Sequence, residues 1–331
     1  MATHNKRSPM ELRHLRYFLM VAEELHFTRA AARLNMQQPP LSNQIRLLEK
    51  ELGFELFKRH PKGVDLTTGG QVFLQEARAI LNRIEEGSKR AARAAQGLEG
   101  KLSIGFTSST AAHPLIPGMI RAYRGLYPNV ELLLSEGNAG ELTDEVSFGR
   151  MDLGILRAPV SQPRGVTLYR LLDEEMLLVL PVGHRLLPAD ILVNGLSPEA
   201  IDAMPVIALG DLADESFILV RRHGAPGMYA NLLEACEHAG FTPKIAFEIE
   251  RMLTNINLVA AGAGISVVPA SMRSFHRHSV VYCRIGEASP PLVAPITLIA
   301  RTEDQEPTRQ NFIELAQELG RQFRREQPPC P

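Results

Sequence analysis

Gln38, Ser42 and Arg46 stand four residues apart in the stretch QPPLSNQIRLLEKEL, with Pro39 and Pro40 ahead of them and Asn43 alongside. In the same stretch Leu41, Ile45, Leu48 and Leu52 fall at i, i+4, i+7 and i+11, one apolar stripe of a helix. That stripe anchors the helix to a core and leaves the polar residues outside. Gln38 and Asn43 can pair bidentately with adenine and Arg46 with guanine, Ser42 can bond to a base or a phosphate, and Pro39 or Pro40 can touch a thymine methyl. The helix therefore suits the major groove of double-stranded DNA. Arg59 and Lys62, a few residues on, suit adjacent phosphates, which give register and salt dependence without reading sequence.

A second polar group lies beyond residue 100. Ser108, Ser109 and Thr110 follow an apolar run and open a helix, so hydroxyls and free amides there converge on an anion such as a carboxylate. Ser109 and Thr110 serve equally well as helix caps. Arg157, just after Ile155-Leu156, fits either an anionic ligand or a surface ion pair. Enzymatic motifs are missing: there is no GxSxG elbow, no GxGxxG after a strand, no Walker loop and no HExxH. The ten histidines are not at metal-ligand spacing, so no metal or other cofactor is expected. Cys236, Cys283 and Cys330 match neither a CxxC site nor a disulfide framework and read as reduced thiols. A redox pair of Cys236 and Cys283 would need Cα atoms within about 7 Å.

The elements that must hold these residues are marked by periodicity. Leu12, Leu15, Phe18, Leu19, Ala22 and Leu25 trace an amphipathic helix, and Thr28 is the expected N-cap of a short second helix over Arg29 to Leu34. A third helix opens at Pro39-Pro40 and stops at Gly53. Glu55 to Arg59 and Val64 to Leu66 flank a turn and form a two-stranded wing. Thr67 or Thr68 then caps a long helix whose Phe73, Ala77, Ile80, Ile84, Gly87, Ala91, Ala94 and Leu98 keep a heptad seam, which predicts a dimerising linker. Gly97 and Gly100 bracket a hinge. Beyond it, apolar runs at Leu102–Phe106, Val130–Leu134, Leu153–Leu156, Met176–Leu180, Phe217–Val220, Ile245–Glu250, Ile265–Val268 and Ile296–Ala300 alternate with helices. This predicts α/β lobes with largely parallel sheets. Leu186 to Asp211 is irregular and carries no assignment.

At 331 residues the chain suits two or three domains. The expected division is a disordered leader over 1–9, a winged helix-turn-helix over 10–67, a linker helix over 68–97 and a two-lobed domain over 101–330. The first lobe takes about 101–170 and 271–330, the second about 171–270. Residues 1–96 hold 16 Lys and Arg against 10 Asp and Glu, whereas the rest hold 20 against 27, so a basic part precedes an acidic one. Such asymmetry fits a first part that meets a polyanion and a second with another task. Neither a secretory signal nor a run of about 18 apolar residues is present, which predicts a cytoplasmic protein that does not engage a membrane.

The run from Leu12 to Gly70 resembles the N-terminal domain of LysR-type transcriptional regulators. Ile104–Ser109, Gly149–Ile155 and Ala260–Ala270 resemble the effector-binding half of the same family. Met10–Leu15 and Gln38–Ser42 are most similar to the branch that controls benzoate, catechol and chlorocatechol breakdown. The resemblance implies an α+β multidomain fold with a two-lobed C-terminal domain like type 2 periplasmic binding proteins, holding a small organic acid in the cleft. It implies homodimers through the linker, assembly into homotetramers, promoter DNA as a partner and RNA polymerase as another. Gln38, Pro39, Ser42 and Asn43 would approach bases, with Arg59 and Lys62 on the backbone. The chain departs from close relatives at Asn43, where Arg is common, and at Lys62, where Arg occurs; Leu186–Asp211 is longer, and the leader is extra. For the effector, the resemblance points to Ser108, Ser109, Thr110, Asn138 in place of a ligand-contacting Thr, Arg157, Met228 in place of an aromatic, and Pro269. The competing readings are an enzyme on the α/β half, against which the missing motifs count, and a solute-binding protein, which would need export.

Overall fold

The computed structural model describes residues 10–157, 164–187, 204–220, 226–303 and 305–326. The chain forms two compact units, divided after Arg93. The expected leader over 1–9 and most of the unassigned stretch from Leu186 to Asp211 lie outside the described residues. Among the described residues no helix is long and apolar enough to cross a membrane.

In the first unit, α1 (Leu12–Glu24), α2 (Phe27–Arg33) and α3 (Gln38–Leu52) precede a hairpin of β1 (Phe57–His60) and β2 (Gly63–Leu66), and α4 (Thr68–Ala95) follows. Leu15, Phe18, Val21, Ala30, Ala31, Leu41, Ile45, Leu48, Leu56, Phe57 and Val64 make one buried core. Gly53 closes α3 in the left-handed region at φ 82°, the conformation that glycine adopts without a Cβ penalty. The cap of α2 differs from expectation. His26 is the N-cap, its Nδ1 accepting from Thr28 N–H at 3.2 Å, and Thr28 sits inside the first turn.

The linker helix also differs in part. Phe73 and Ala77, the first two members of the expected seam, pack into the winged unit's own core, where Phe73 meets Phe18 at 5.1 Å between ring centroids. Ile80 and Ile84 remain exposed. The helix ends at Ala95, so Leu98 lies outside it. Gly97 is no free hinge: a Cβ there would fall 2.6 Å from the backbone at Pro307 and Thr308, and Asn311 Nδ2 donates to Gln96 O at 3.2 Å.

The second unit continues through β3 (Gly100–Phe106), α5 (Ser108–Ala111), α6 (Leu115–Leu126), β4 (Val130–Glu136), α7 (Ala139–Ser147), β5 (Leu153–Leu156), β6 (Val166–Pro181) and β7 (Val206–Ile207). It then runs through β8 (Ser216–Val220), α8 (Pro226–His238), β9 (Lys244–Ile249), α9 (Met252–Ala260), β10 (Ser266–Pro269), β11 (Val280–Ile285), β12 (Val293–Arg301) and α10 (Pro307–Glu326). The main sheet has the order β4-β3-β5-β12-β6-β11-β7, with β10 also on β6. It is mixed rather than largely parallel. β3 is parallel to β4 and β5, but β12 runs antiparallel to β5 and β6, and β10 and β11 run antiparallel to β6.

β6 explains this arrangement. Its residues up to Glu175 pair with β12, and Met176–Pro181 pair with β10 and β11, so one 16-residue strand serves both lobes. Separate cores follow, the first lobe's built on β3, α6 and α10 with a smaller cluster under α7, the second lobe's on β8, α9 and β10. Met272 and the residues of β11, expected with the first lobe, pack in the second lobe's core, because β11 pairs with the far half of β6. Cys236 and Cys283 are buried in that core as free thiols.

Candidate functional site

On α3, Leu41, Ile45 and Leu48 are fully buried. At 3.6 residues per turn the line directly opposite them runs through Pro39, Asn43, Arg46 and Lys50. All four are exposed, as are Gln38 and Pro40 at the helix start. Lys50 was not singled out from the sequence, although its spacing of seven from Asn43 and four from Arg46 places it on that line. Ser42 behaves otherwise. It is 7% exposed, flanks the core stripe and accepts from Arg59 Nη1 at 3.2 Å, so its hydroxyl braces the wing instead of facing outward.

Arg59 itself lies over the Phe27 ring at 4.8 Å. Its guanidinium thus has two intramolecular partners where a phosphate contact is expected, while Lys62 stands exposed at the wing tip. The wing is fixed to the helices through backbone groups. Glu49 Oε1 accepts from Leu56 N–H at 2.9 Å and Phe57 N–H at 3.2 Å, and Val64 N–H donates to Leu25 O at 3.0 Å. A Cβ on Gly63 would fall 2.5 Å from that same Leu25 oxygen. The result is an exposed helix face that carries amide and cationic donors, beside a wing tied to the helices.

In the second unit a cleft between the lobes is lined by Thr107, Ser108, Ser109, Gly137, Asn138, Arg157, Val220 and Met252, among others, with a volume of about 110 Å³. α5 and α7 both present their N-terminal ends to it. Ser108, Ser109, Asn138 and Arg157, four of the residues expected at the effector, are brought together here. Asn138 caps α7: its Oδ1 accepts from Glu141 N–H at 2.9 Å while Glu141 Oε2 accepts from Asn138 N–H at 3.1 Å. Only its Nδ2 is left to face a ligand.

Thr110 and Pro269 do not line the cleft. Thr110 is fully buried, and its hydroxyl donates to Thr107 O at 2.8 Å and Ile155 O at 3.2 Å, tying α5 to β5. Pro269 is buried at the end of β10. Met228 lies in the first turn of α8, and its side chain is outside the described residues. Thr107, missed in the sequence, lines the cleft and caps α5 by accepting from Thr110 N–H.

Arg157 is no surface ion pair. It is 3% exposed and pairs through Nη1 with Glu174, which is 8% exposed, while Nη2 donates to Ser109 O at 2.8 Å and Ser271 Oγ at 3.0 Å. Glu174 also accepts from Ser271 N–H. Burial pulls the Arg157 pKa below the ordinary arginine value, and the Glu174 charge opposes that fall. Arg157 therefore acts as a buttress that sets the Ser109 carbonyl against both lobes, with its Nε buried and without a hydrogen-bond partner.

A family model described as "LysR substrate binding domain" matches residues 95–321, and one described as "Bacterial regulatory helix-turn-helix protein, lysR family" matches residues 12–71. The chain is 37% identical over 307 residues to the HTH-type transcriptional regulator AlsR of Bacillus subtilis (strain 168), covering 93% of this chain and 95% of that protein. It is 32% identical over 320 residues to the probable cat1 operon transcriptional activator of Acinetobacter lwoffii, covering 96% and 98%. Among solved structures, full-length CbnR complexed with its target DNA gives a TM-score of 0.75 at 27% identity, covering 94% of this chain and 100% of that one.

Proposed function

The chain belongs to the LysR family of bacterial transcriptional regulators, DNA-binding proteins and not enzymes, and from that premise we propose that it reads promoter DNA with the exposed line of α3 and answers to a small organic acid in the interlobe cleft. The observation that carries the DNA reading is the opposition of two stripes on one helix, Leu41, Ile45 and Leu48 inward and Pro39, Asn43, Arg46 and Lys50 outward. Gln38, Asn43 and Arg46 approach base edges, Pro39 and Pro40 supply apolar contact, and Lys50 and Lys62 meet phosphates.

Ile80 and Ile84, exposed on α4, support pairing of two copies through the linker, and a homotetramer that also meets RNA polymerase in the cytoplasm completes the reading. Ser108, Ser109 and Asn138 around the cleft support an acid as effector. The likeness of Met10–Leu15 and Gln38–Ser42 to the aromatic-degradation branch supports an aromatic acid.

The experiment is electrophoretic retardation with the promoter region flanking the chain's own gene, at rising salt, without and with propionate, benzoate or cis,cis-muconate. Binding that falls steeply with salt and shifts with one acid is expected. Absence of preferential binding to any promoter fragment would sink the DNA assignment, and indifference to every acid would sink the effector class.

A further inference from the structure

Among the described residues, an ion pair joins the lobes at the cleft. Arg251, the residue before α9 on the second lobe, places Nη1 3.0 Å from Glu136 Oε1, at the end of β4 on the first. Both side chains line the cleft and both are substantially exposed, 66% and 43%, so the pair is wet and individually weak. Among the described residues, the other charged groups that line the cleft are engaged elsewhere. Arg157 is paired with Glu174 inside the protein, Glu141 closes the cap of α7, and Glu250 has a partner of its own. Among the described residues, Arg251 is a cleft cation whose present partner is itself an exposed cleft carboxylate, open to exchange.

We propose that Arg251 recognises the effector's carboxylate, and that Glu136 holds its place until the effector arrives. This rests on the reading that an organic acid occupies the cleft, and it names the residue that selects for the acid. A guanidinium presents parallel N–H donors that match a carboxylate, and the contact with Glu136 demonstrates that a carboxylate reaches Arg251 at this position. An incoming acid takes Glu136's place on the guanidinium, beside the Thr107 and Ser108 hydroxyls. The exchange replaces a protein-to-protein link between lobes with a link through the ligand, and it leaves Glu136 repelling the ligand's charge. Glu136 therefore competes with the effector, and Arg251 sets specificity for acids over their neutral analogues.

Calorimetric titration of the full chain tests this, with propionate, benzoate and cis,cis-muconate as probes and propionamide and benzamide as neutral controls. For the acid that binds, R251Q should weaken affinity about ten-fold or more, the scale of a lost charge-assisted hydrogen bond. E136Q should strengthen it about two- to five-fold by removing the competitor. R251K should fall between wild type and R251Q, which also shows that the site survives substitution. An acid that binds wild type and R251Q equally well overturns the assignment of Arg251 and leaves the acid reading standing. Weaker binding to E136Q than to wild type overturns the place-holding role. Failure of all three acids to bind wild type removes the acid reading and this inference with it.

Discussion

Replacing Arg157 by Met isolates the buried ion pair that braces the cleft. Met keeps much of the side chain's length and apolar stem but removes every donor, leaving Glu174, 8% exposed, without its counter-ion and facing an apolar group. Removing one partner of a buried pair costs about 3–5 kcal/mol, because the surviving charge has lost both water and its counter-ion. The Ser109 carbonyl and Ser271 hydroxyl lose their hydrogen bonds to Nη2 as well. For a domain of this size about 1 kcal/mol moves the midpoint roughly 2–4 °C, so R157M should lower the melting temperature of residues 94–331 by about 6–20 °C. Differential scanning calorimetry of the full chain reads the shift. The double variant R157M/E174Q keeps an acceptor for Ser271 N–H but no buried charge, and it should recover more than half of the loss. A single variant within about 3 °C of wild type, or a double variant no more stable than R157M, would refute the view that an isolated buried carboxylate is the source of the cost.

The DNA surface yields a contrast between neighbours. N43A should relax preference at one base position by about 1–3 kcal/mol, whereas S42A, whose hydroxyl faces Arg59, should leave the preferred sequence unchanged; selection of binding sites from a randomised operator pool distinguishes them. K50Q and K62Q should each weaken binding almost uniformly across sequences and reduce the slope of log K against log salt by about 1, measured by fluorescence anisotropy, and an unaltered slope would remove that lysine from the phosphate contacts. Burial pushes the Cys236 thiol up to about 11 and the Cys283 thiol up to about 12, which leaves little thiolate at neutral pH. In a C330S background a thiol-disulfide reagent at pH 7.5 should therefore label neither residue until the chain is unfolded, and rapid labelling of the native protein would reopen a redox role.

What could be read in advance was local. The stripe of Leu41, Ile45 and Leu48 and the glycine at 53 determine α3 within fifteen residues, and the eight apolar runs each became part of a strand. What could not be read was which strand lies beside which. Val166–Pro181 reads as a strand only over its apolar second half, because its first half, VTLYRLLDEE, is a mixed run whose partner in β12 lies more than a hundred residues away. The second lobe's claim on β11 follows from that distant pairing, so the lobe boundary was beyond any local pattern.

The functional side chains divide along a related line. Residue type and spacing tell which face a group occupies, but not whether a neighbour has already taken its hydrogen bonds. Ser42, Thr110 and Arg157 all carry chemistry that suits a ligand, and in each case an internal partner uses it: Arg59, two backbone carbonyls, and Glu174 with Ser271. Exposure on a regular helix needs no such knowledge, since it follows from the period alone. Once Leu41, Ile45 and Leu48 are assigned inward, the opposite line must pass through Pro39, Asn43, Arg46 and Lys50, and Lys50 was available from the sequence by counting three turns from Pro39. Arg251 and Glu136 had no such signal. They are 115 residues apart on different lobes, and no local pattern pairs the end of β4 with the start of α9.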